Sequence, residues 1–205
     1  MSAFRHLILG THNTKKAGEL RFLLEPRGFE LQTLADLPNA IEVEEKGTTF
    51  AENAAMKASQ QARHLKNWVL AEDSGLSVDA LGGQPGVFSA RFSGQNATDA
   101  SNNERLLRKL ADTPLPKRTA RYVCHIALAD PAGAIRLECE ASCEGRIRSR
   151  PAGTAGFGYD PLFEIVEYHR TFGELGDTVK SVLSHRGRAL RLLIPQLVQL
   201  AESDL

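Results

Sequence analysis

The stretch FRHLILGT, from Phe4 to Thr11, is a short apolar run ended by polar residues, and that pattern predicts a buried strand. Asn13 or Thr14 then caps a helix carrying Leu20, Leu23 and Leu24, which Pro26 and Gly28 end. FELQTL predicts a second strand. Further on, Thr49-x-x-Glu52 is a capping-box pattern in front of alanines at 51, 54, 55, 58 and 62, so it opens a helix with a small-residue face. NWVLAED predicts a strand ending in two adjacent acids, Glu72 and Asp73. Gly75 to Gly94 reads as loop, with Gly-Gly, Pro-Gly and Ser-Gly pairs. Asp99 or Ser101 starts a helix with Leu106, Leu107 and Leu110. TARYVCHIALADPAGAIRLECEASCEG reads as two strands joined by an Asp-Pro-Ala-Gly turn. A glycine-rich loop, PAGTAGFGYDP, and a strand, PLFEIV, follow. The last helix begins near Ser184 and turns Leu190, Leu193, Ile194, Leu197 and Leu200 to one side, with Pro195 predicting a kink or break.

Helices mixed with strands and at least one hairpin make the class α/β or α+β on a mixed sheet. No internal repeat or linker divides the chain, so residues 1–205 read as one domain. Its 42% hydrophobic and 24% charged residues are ordinary for a globular protein. The 25 basic residues balance the 25 acidic ones, which argues against a partner recognised by bulk positive charge, either a nucleic acid polymer or a membrane surface. A small anion held by a local basic cluster stays possible. No apolar run approaches the ~18 residues of a membrane span, and the N-terminus lacks a signal-peptide pattern, so the expected location is cytoplasmic. Three cysteines without CxxC spacing agree with a reducing compartment. If the hairpin turn is symmetric, Cys124 lies opposite Cys139 and Cys143 shares their face. Three small core residues, or a zinc site still lacking a fourth ligand, are the two readings of that trio.

Four stretches carry candidate chemistry. GTHNTKK, Gly10 to Lys16, sits at a strand-to-helix junction, where free amides and the helix dipole favour an anion; a plain helix start is the alternative. Glu72 and Asp73 suit Mg²⁺, which takes oxygen ligands and keeps waters and substrate phosphate, with Glu42, Glu44 or Glu45 as a second source of ligand. Equally, the pair could simply turn the chain. AGTAGFGYDP lets backbone approach a ligand closely, and Phe157 or Tyr159 could stack on a planar base. VKSVLSHRGRAL places Lys180, Ser184, His185 and Arg186 around the start of the last helix. Together these features converge on phosphates, a divalent metal and a planar base.

These same stretches identify a resemblance. T-x-N-x-x-K (Thr11 to Lys16), EEKGTTFAENAAMKA, AEDSGLSVDALGGQPGVFSARFSG, PAGTAGFGYDPLF and KSVLSHRGRAL resemble, in order and spacing from about residue 7 to 194, the non-canonical purine nucleoside triphosphate pyrophosphatases. His12 stands where that family usually has a small residue, Glu72 replaces a common aspartate, and GELGDTVKS departs from the usual acidic run before Lys180. The resemblance implies a two-lobed single domain around a long mixed β-sheet with a cleft between the lobes, Mg²⁺ dependence and a homodimer. It also implies hydrolysis of ITP, dITP and XTP to the monophosphate and pyrophosphate.

Carried over by position, Thr11, His12, Asn13, Thr14, Lys15 and Lys16 hold the phosphates, while Glu44 and Asp73 bind Mg²⁺. Asp73 is also the general base, next to Ser74. Phe157, Gly158, Tyr159, Asp160, Lys180, His185 and Arg186 contact the nucleotide. Lysines 16, 57 and 180 would neutralise a triphosphate and its leaving group. Arg186, which can only donate, is the expected reader of the purine 6-oxygen.

Overall fold

In the computed structural model, which describes residues 5–203, the strand expected to stop at Glu72-Asp73 runs on to Val78. Before it come β1 (His6–Leu9), α1 (Thr14–Leu24), β2 (Glu30–Thr33) and α2 (Phe50–Leu65), and the strand itself is β3 (Val69–Val78). After it come α3 (Asp99–Lys109), β4 (Thr119–Ala129), β5 (Ile135–Ile147), β6 (Phe163–Ile165), β7 (Arg170–Thr171), α4 (Phe172–Leu183) and α5 (His185–Ser203). Phe4, the expected first residue of β1, and both ends of the expected 1–205 domain lie outside the described residues.

The fold is α/β on one seven-stranded sheet of order β2-β1-β3-β4-β5-β6-β7. It is mixed, because β1 runs parallel to β2 and β3 whereas β6 is antiparallel to β5 and β7. Ser74-Gly75 fails to end β3 because Leu76 and Val78 resume the buried alternation, and sheet context outranks a local turn signal. Glu72 and Asp73 therefore sit inside a strand. Neighbours in a strand point to opposite faces, so the two acids have separate surroundings.

By packing, the chain divides into two compact units. The first holds the residues up to Asp73, Cys124–Ala141 and those from Arg186 onward; the second holds Ser74–Val123 and Ser142–His185. Within the first unit, Leu7, Leu9, Leu70, Ile126 and Leu128 pack with leucines of α1 and α5. Ile8, Val69, Ala71, Ala127 and Ala129 form another cluster with Ala54, Ala58 and Ala62 of α2. The expected small-residue face of α2 is thus the surface it lays on the strands. The second unit has its own cluster, including Leu76, Leu106, Tyr122, Phe163 and Phe172.

The helix starts follow side-chain chemistry. Asn13 accepts from the Lys15 and Lys16 amides, and Thr49 with Glu52 closes the predicted capping box. Thr98, one residue ahead of the expected Asp99, caps α3. The sequence signalled no helix at α4, which Thr171 and Glu174 cap and which Gly176, at φ 78°, interrupts. Helix α5 is continuous through Pro195, contrary to a break there. Pro195 faces solvent while Leu190, Leu193, Ile194 and Leu197 are buried around it, and that burial outweighs the ~3 kcal/mol a mid-helix proline costs.

The Asp130–Gly133 turn joins β4 and β5 as expected, with the Gly133 N–H donating to the Asp130 carbonyl over 2.7 Å. The three cysteines do not gather. Cys124 and Cys139 belong to the α1/α5 cluster and Cys143 to the cluster of the second unit. Among the described residues no group of three His, Cys, Asp or Glu side chains is placed to hold a metal, and no helix is long and apolar enough to cross a membrane.

Candidate active site

In the first unit Asp73, the expected base and metal ligand, is held through both carboxylate oxygens. Its Oδ2 accepts from Asn53 Nδ2 over 3.1 Å and its Oδ1 from Lys57 Nζ over 3.0 Å. Lys57 Nζ also lies 3.1 Å from Glu45 Oε1, so one ammonium is held between two carboxylates. Burial alone would make Lys57 easier to deprotonate, but Asp73 and Glu45 outweigh it and raise its pKa. Asn53 is itself aimed: its Oδ1 accepts the Gly47 N–H over 2.9 Å, which turns its amide nitrogen toward Asp73. A side chain at position 47 would meet Asn53 Oδ1 at 2.6 Å, so only glycine allows this approach.

The structure brings Glu45, rather than the expected Glu44, to this cluster. The segment from Ile41 to Gly47 lies outside any helix or strand, and its odd-numbered residues are half-buried while its even-numbered ones are exposed. Glu44 accordingly faces solvent, its side chain 77% exposed, and pairs with Lys46. A two-residue period cannot send both neighbours inward.

On the other face of β3, Glu72 receives the two parallel donors of Arg186, Nε at 2.6 Å and Nη2 at 2.8 Å. Lys16 Nζ lies 3.1 Å from Glu72 Oε1, and the Cys124 thiol donates to Oε2 over 3.2 Å. Desolvation would push the Glu72 carboxyl up, but Arg186 and Lys16 together hold it well below the usual range. Cys124 moves the opposite way, because burial and the Glu72 charge keep its thiol protonated. Arg186 also pairs with Glu19 of α1 and is 2% exposed. The Arg186 guanidinium is thus engaged by two carboxylates, at the centre of a buried charge network.

The loop before α1 uses its oxygens on itself. The Asn13 N–H donates to Thr11 Oγ1 over 3.1 Å, and the Asn13 side chain caps the helix. What these two residues offer a ligand is their hydroxyl and amide hydrogens. His12, Thr14 and Lys15 are exposed and Lys16 is half-buried.

The second unit holds the remaining expected residues. Asp160 is buried and accepts from Lys180 Nζ over 2.7 Å, the Phe157 N–H over 2.8 Å and the Tyr122 hydroxyl over 3.4 Å. Lys180 Nζ lies 4.1 Å from the centroid of the Phe157 ring, a cation–π distance. Phe157 is half-buried, whereas Tyr159 is buried and donates its hydroxyl to the Ser89 carbonyl over 2.8 Å, so Phe157 alone of the two offers a ring for stacking. Gly158 is fixed from α3: its N–H donates to Asp99 Oδ2 over 2.9 Å and its carbonyl accepts from Asn103 Nδ2 over 2.8 Å. His185 is buried and stacks on Tyr122 with ring centroids 4.7 Å apart. Ser74, the residue after Asp73, is half-buried in β3.

Sequence reasoning missed Asn53, Glu19, Gln61 and Tyr122. One signal was available: Asn53, Lys57 and Gln61 recur every fourth residue beside the alanine stripe of α2, and such a polar stripe next to a buried one implies partners.

Residues 7–196 match the model of the Ham1 family. A protein of Rhodopirellula baltica named dITP/XTP pyrophosphatase is 56% identical over 204 residues, covering 100% of this chain and 98% of its own. One of an Exiguobacterium species with the same name is 50% identical, covering 94% of this chain and 96% of its own. The solved structure of a HAM1 protein from Coxiella burnetii superposes with a TM-score of 0.87 at 37% identity, covering 95% of this chain and 98% of that one.

Proposed function

The chain belongs to the Ham1 family, and we propose that it hydrolyses non-canonical purine nucleoside triphosphates (dITP, XTP and ITP) to the monophosphate and pyrophosphate. The observation that carries this reading is Asp73, fixed through both oxygens by Asn53 and Lys57 and joined through Lys57 to Glu45. A carboxylate locked in this way is a general base that orients a water and takes its proton as the water attacks the α-phosphorus. Lys16 and Lys57 set positive charge against the triphosphate.

Mg²⁺ fits the first-unit cluster. Glu45 Oε1 and Asp73 Oδ1 already share one cation, the Lys57 ammonium, and hard carboxylate oxygens two at a time are what Mg²⁺ takes, with water and phosphate completing its shell. We therefore assign the metal to Asp73 with Glu45 in place of Glu44. When bound, the ion would neutralise charge gathering on the phosphates and the leaving pyrophosphate. The base is assigned to the Phe157 loop, where the half-buried ring offers a stacking face and Asp160 and Lys180 hold the loop in shape. Three free thiols support a reducing, cytoplasmic location, and the family resemblance supports a homodimer.

Incubating the enzyme and Mg²⁺ with dITP, XTP, ITP, ATP and GTP, and separating the products, tests the reading. Pyrophosphate and monophosphate from the first three, at higher kcat/KM than from ATP or GTP, are expected. Release of orthophosphate with a nucleoside diphosphate would overturn it.

A further inference from the structure

We propose that Gln61, remote from Asp73 on α2, is a positioning residue that selects Glu45 rather than Glu44 as the inward-facing acid. The inference rests on the reading of Glu45 and Asp73 as a cation site. Gln61 is 2% exposed, and its carboxamide is spent on one residue of the facing segment: Oε1 accepts the Ile41 N–H over 3.3 Å and Nε2 donates to the Ile41 carbonyl. A primary amide is the side chain that can both donate to and accept from a backbone in this way.

That clamp is one rung of a ladder. Along α2, Asn53 accepts from the Gly47 N–H, Lys57 binds Glu45, Gln61 brackets Ile41, and His64 Nε2 lies 2.8 Å from the Asn39 carbonyl. As the helix number rises the segment number falls, so the segment runs back along the helix. Gln61 stands eight residues beyond Asn53, about 12 Å along the axis. The two residues hold opposite ends of a stretch that has no sheet ladder of its own.

The register of such a stretch matters because its side chains alternate. A slip by one residue exchanges every inward position for an outward one. Here it would turn Glu45 to solvent and Glu44 inward. Gly47 fixes only its own end, whereas Gln61 ties both polar groups of Ile41, an inward residue of the same parity as Glu45. Gln61 thus acts on the cation site through the backbone, touching neither acid in the contacts described.

Mn²⁺ binding to the full-length enzyme without nucleotide, followed by electron paramagnetic resonance, tests this in the wild type, Gln61→Met, Gln61→Asn and Glu45→Gln. Methionine keeps the volume and loses both hydrogen bonds; asparagine keeps the amide but is one methylene too short to reach both groups. Each Gln61 variant should bind Mn²⁺ about tenfold more weakly, the scale of losing a residue that orients a metal ligand, with kcat at saturating metal near wild type. A purely structural Gln61 would lower the unfolding midpoint and leave the Mn²⁺ affinity of the folded protein unchanged, and that result overturns the inference. If Glu45→Gln itself binds Mn²⁺ normally, the cation-site reading fails and the inference falls with it. Loss in Glu45→Gln with normal binding in both Gln61 variants refutes the role of Gln61 alone.

Discussion

Replacing Arg186 with Ala separates a buried charge network from a base-reading residue. In the wild type Glu72 is buried and takes two donors from Arg186, with Lys16 and the Cys124 thiol on the same carboxylate. Removing one partner of a buried pair costs about 3–5 kcal/mol, and because Lys16 and Cys124 remain, the lower figure is expected. For a protein of this size that corresponds to a fall in Tm of about 6–12 °C. Urea unfolding followed through Trp68 measures it, since this single tryptophan packs against the same apolar cluster as Cys124.

The pH dependence makes the test sharper. Glu72 is held below its ordinary pKa in the folded wild type, so its contribution is present above the unfolded value near ~4.3 and is lost as pH falls through the folded value. In Arg186→Ala, burial of the carboxylate is opposed by less positive charge, and its folded pKa rises. A raised carboxyl contributes below the unfolded pKa and loses that contribution as pH climbs. The gap between wild type and variant should therefore be widest near pH 7 and narrow on acidification, and Glu72→Gln in the Arg186→Ala background should recover part of it. A loss below about 1 kcal/mol at pH 7, typical of an exposed pair, or a loss that does not change with pH, would refute the reasoning.

Asp73→Asn should leave the fold intact and lower kcat by on the order of 100-fold or more, since it removes the proposed base and a metal ligand together; near-normal turnover at saturating Mg²⁺ would count against the assignment. Gly156→Ala should raise the KM for dITP and cost about 1–2 kcal/mol from the backbone alone, because Gly156 sits at φ 76°. Its new Cβ would also lie 2.1 Å from Asp160 Oδ2, the oxygen that holds Phe157 and Lys180, so an unchanged KM would show that the Phe157 loop does not bind the base.

Much of this molecule is local chemistry and is legible in one dimension. The capping box at Thr49-Glu52 and the Asp130–Gly133 turn each use contacts between residues a few positions apart, and the leucine stripe of α5 follows the helical period, so spacing alone predicts them. Helix α4 was not legible, because its start is one Thr171–Glu174 cap and Gly176 breaks its period within a turn.

The site divides along the same line. Sequence determined which residue types are present and which neighbours they have: two adjacent acids, a lysine and an asparagine four apart on one helix, an arginine after a histidine. Only the tertiary structure decided what each one meets. Strand period sends Glu72 to Arg186 and Asp73 to Lys57, and the parity of the Ile41–Gly47 segment turns Glu45 inward and Glu44 out. Glu72 and Arg186 lie 114 positions apart in the chain, and their pairing depends on how β3 and α5 pack. Burial then sets the energy of that pairing, because a carboxylate removed from water must find a cation or take up a proton, and no count of residues along the chain says which cation the fold will bring to it.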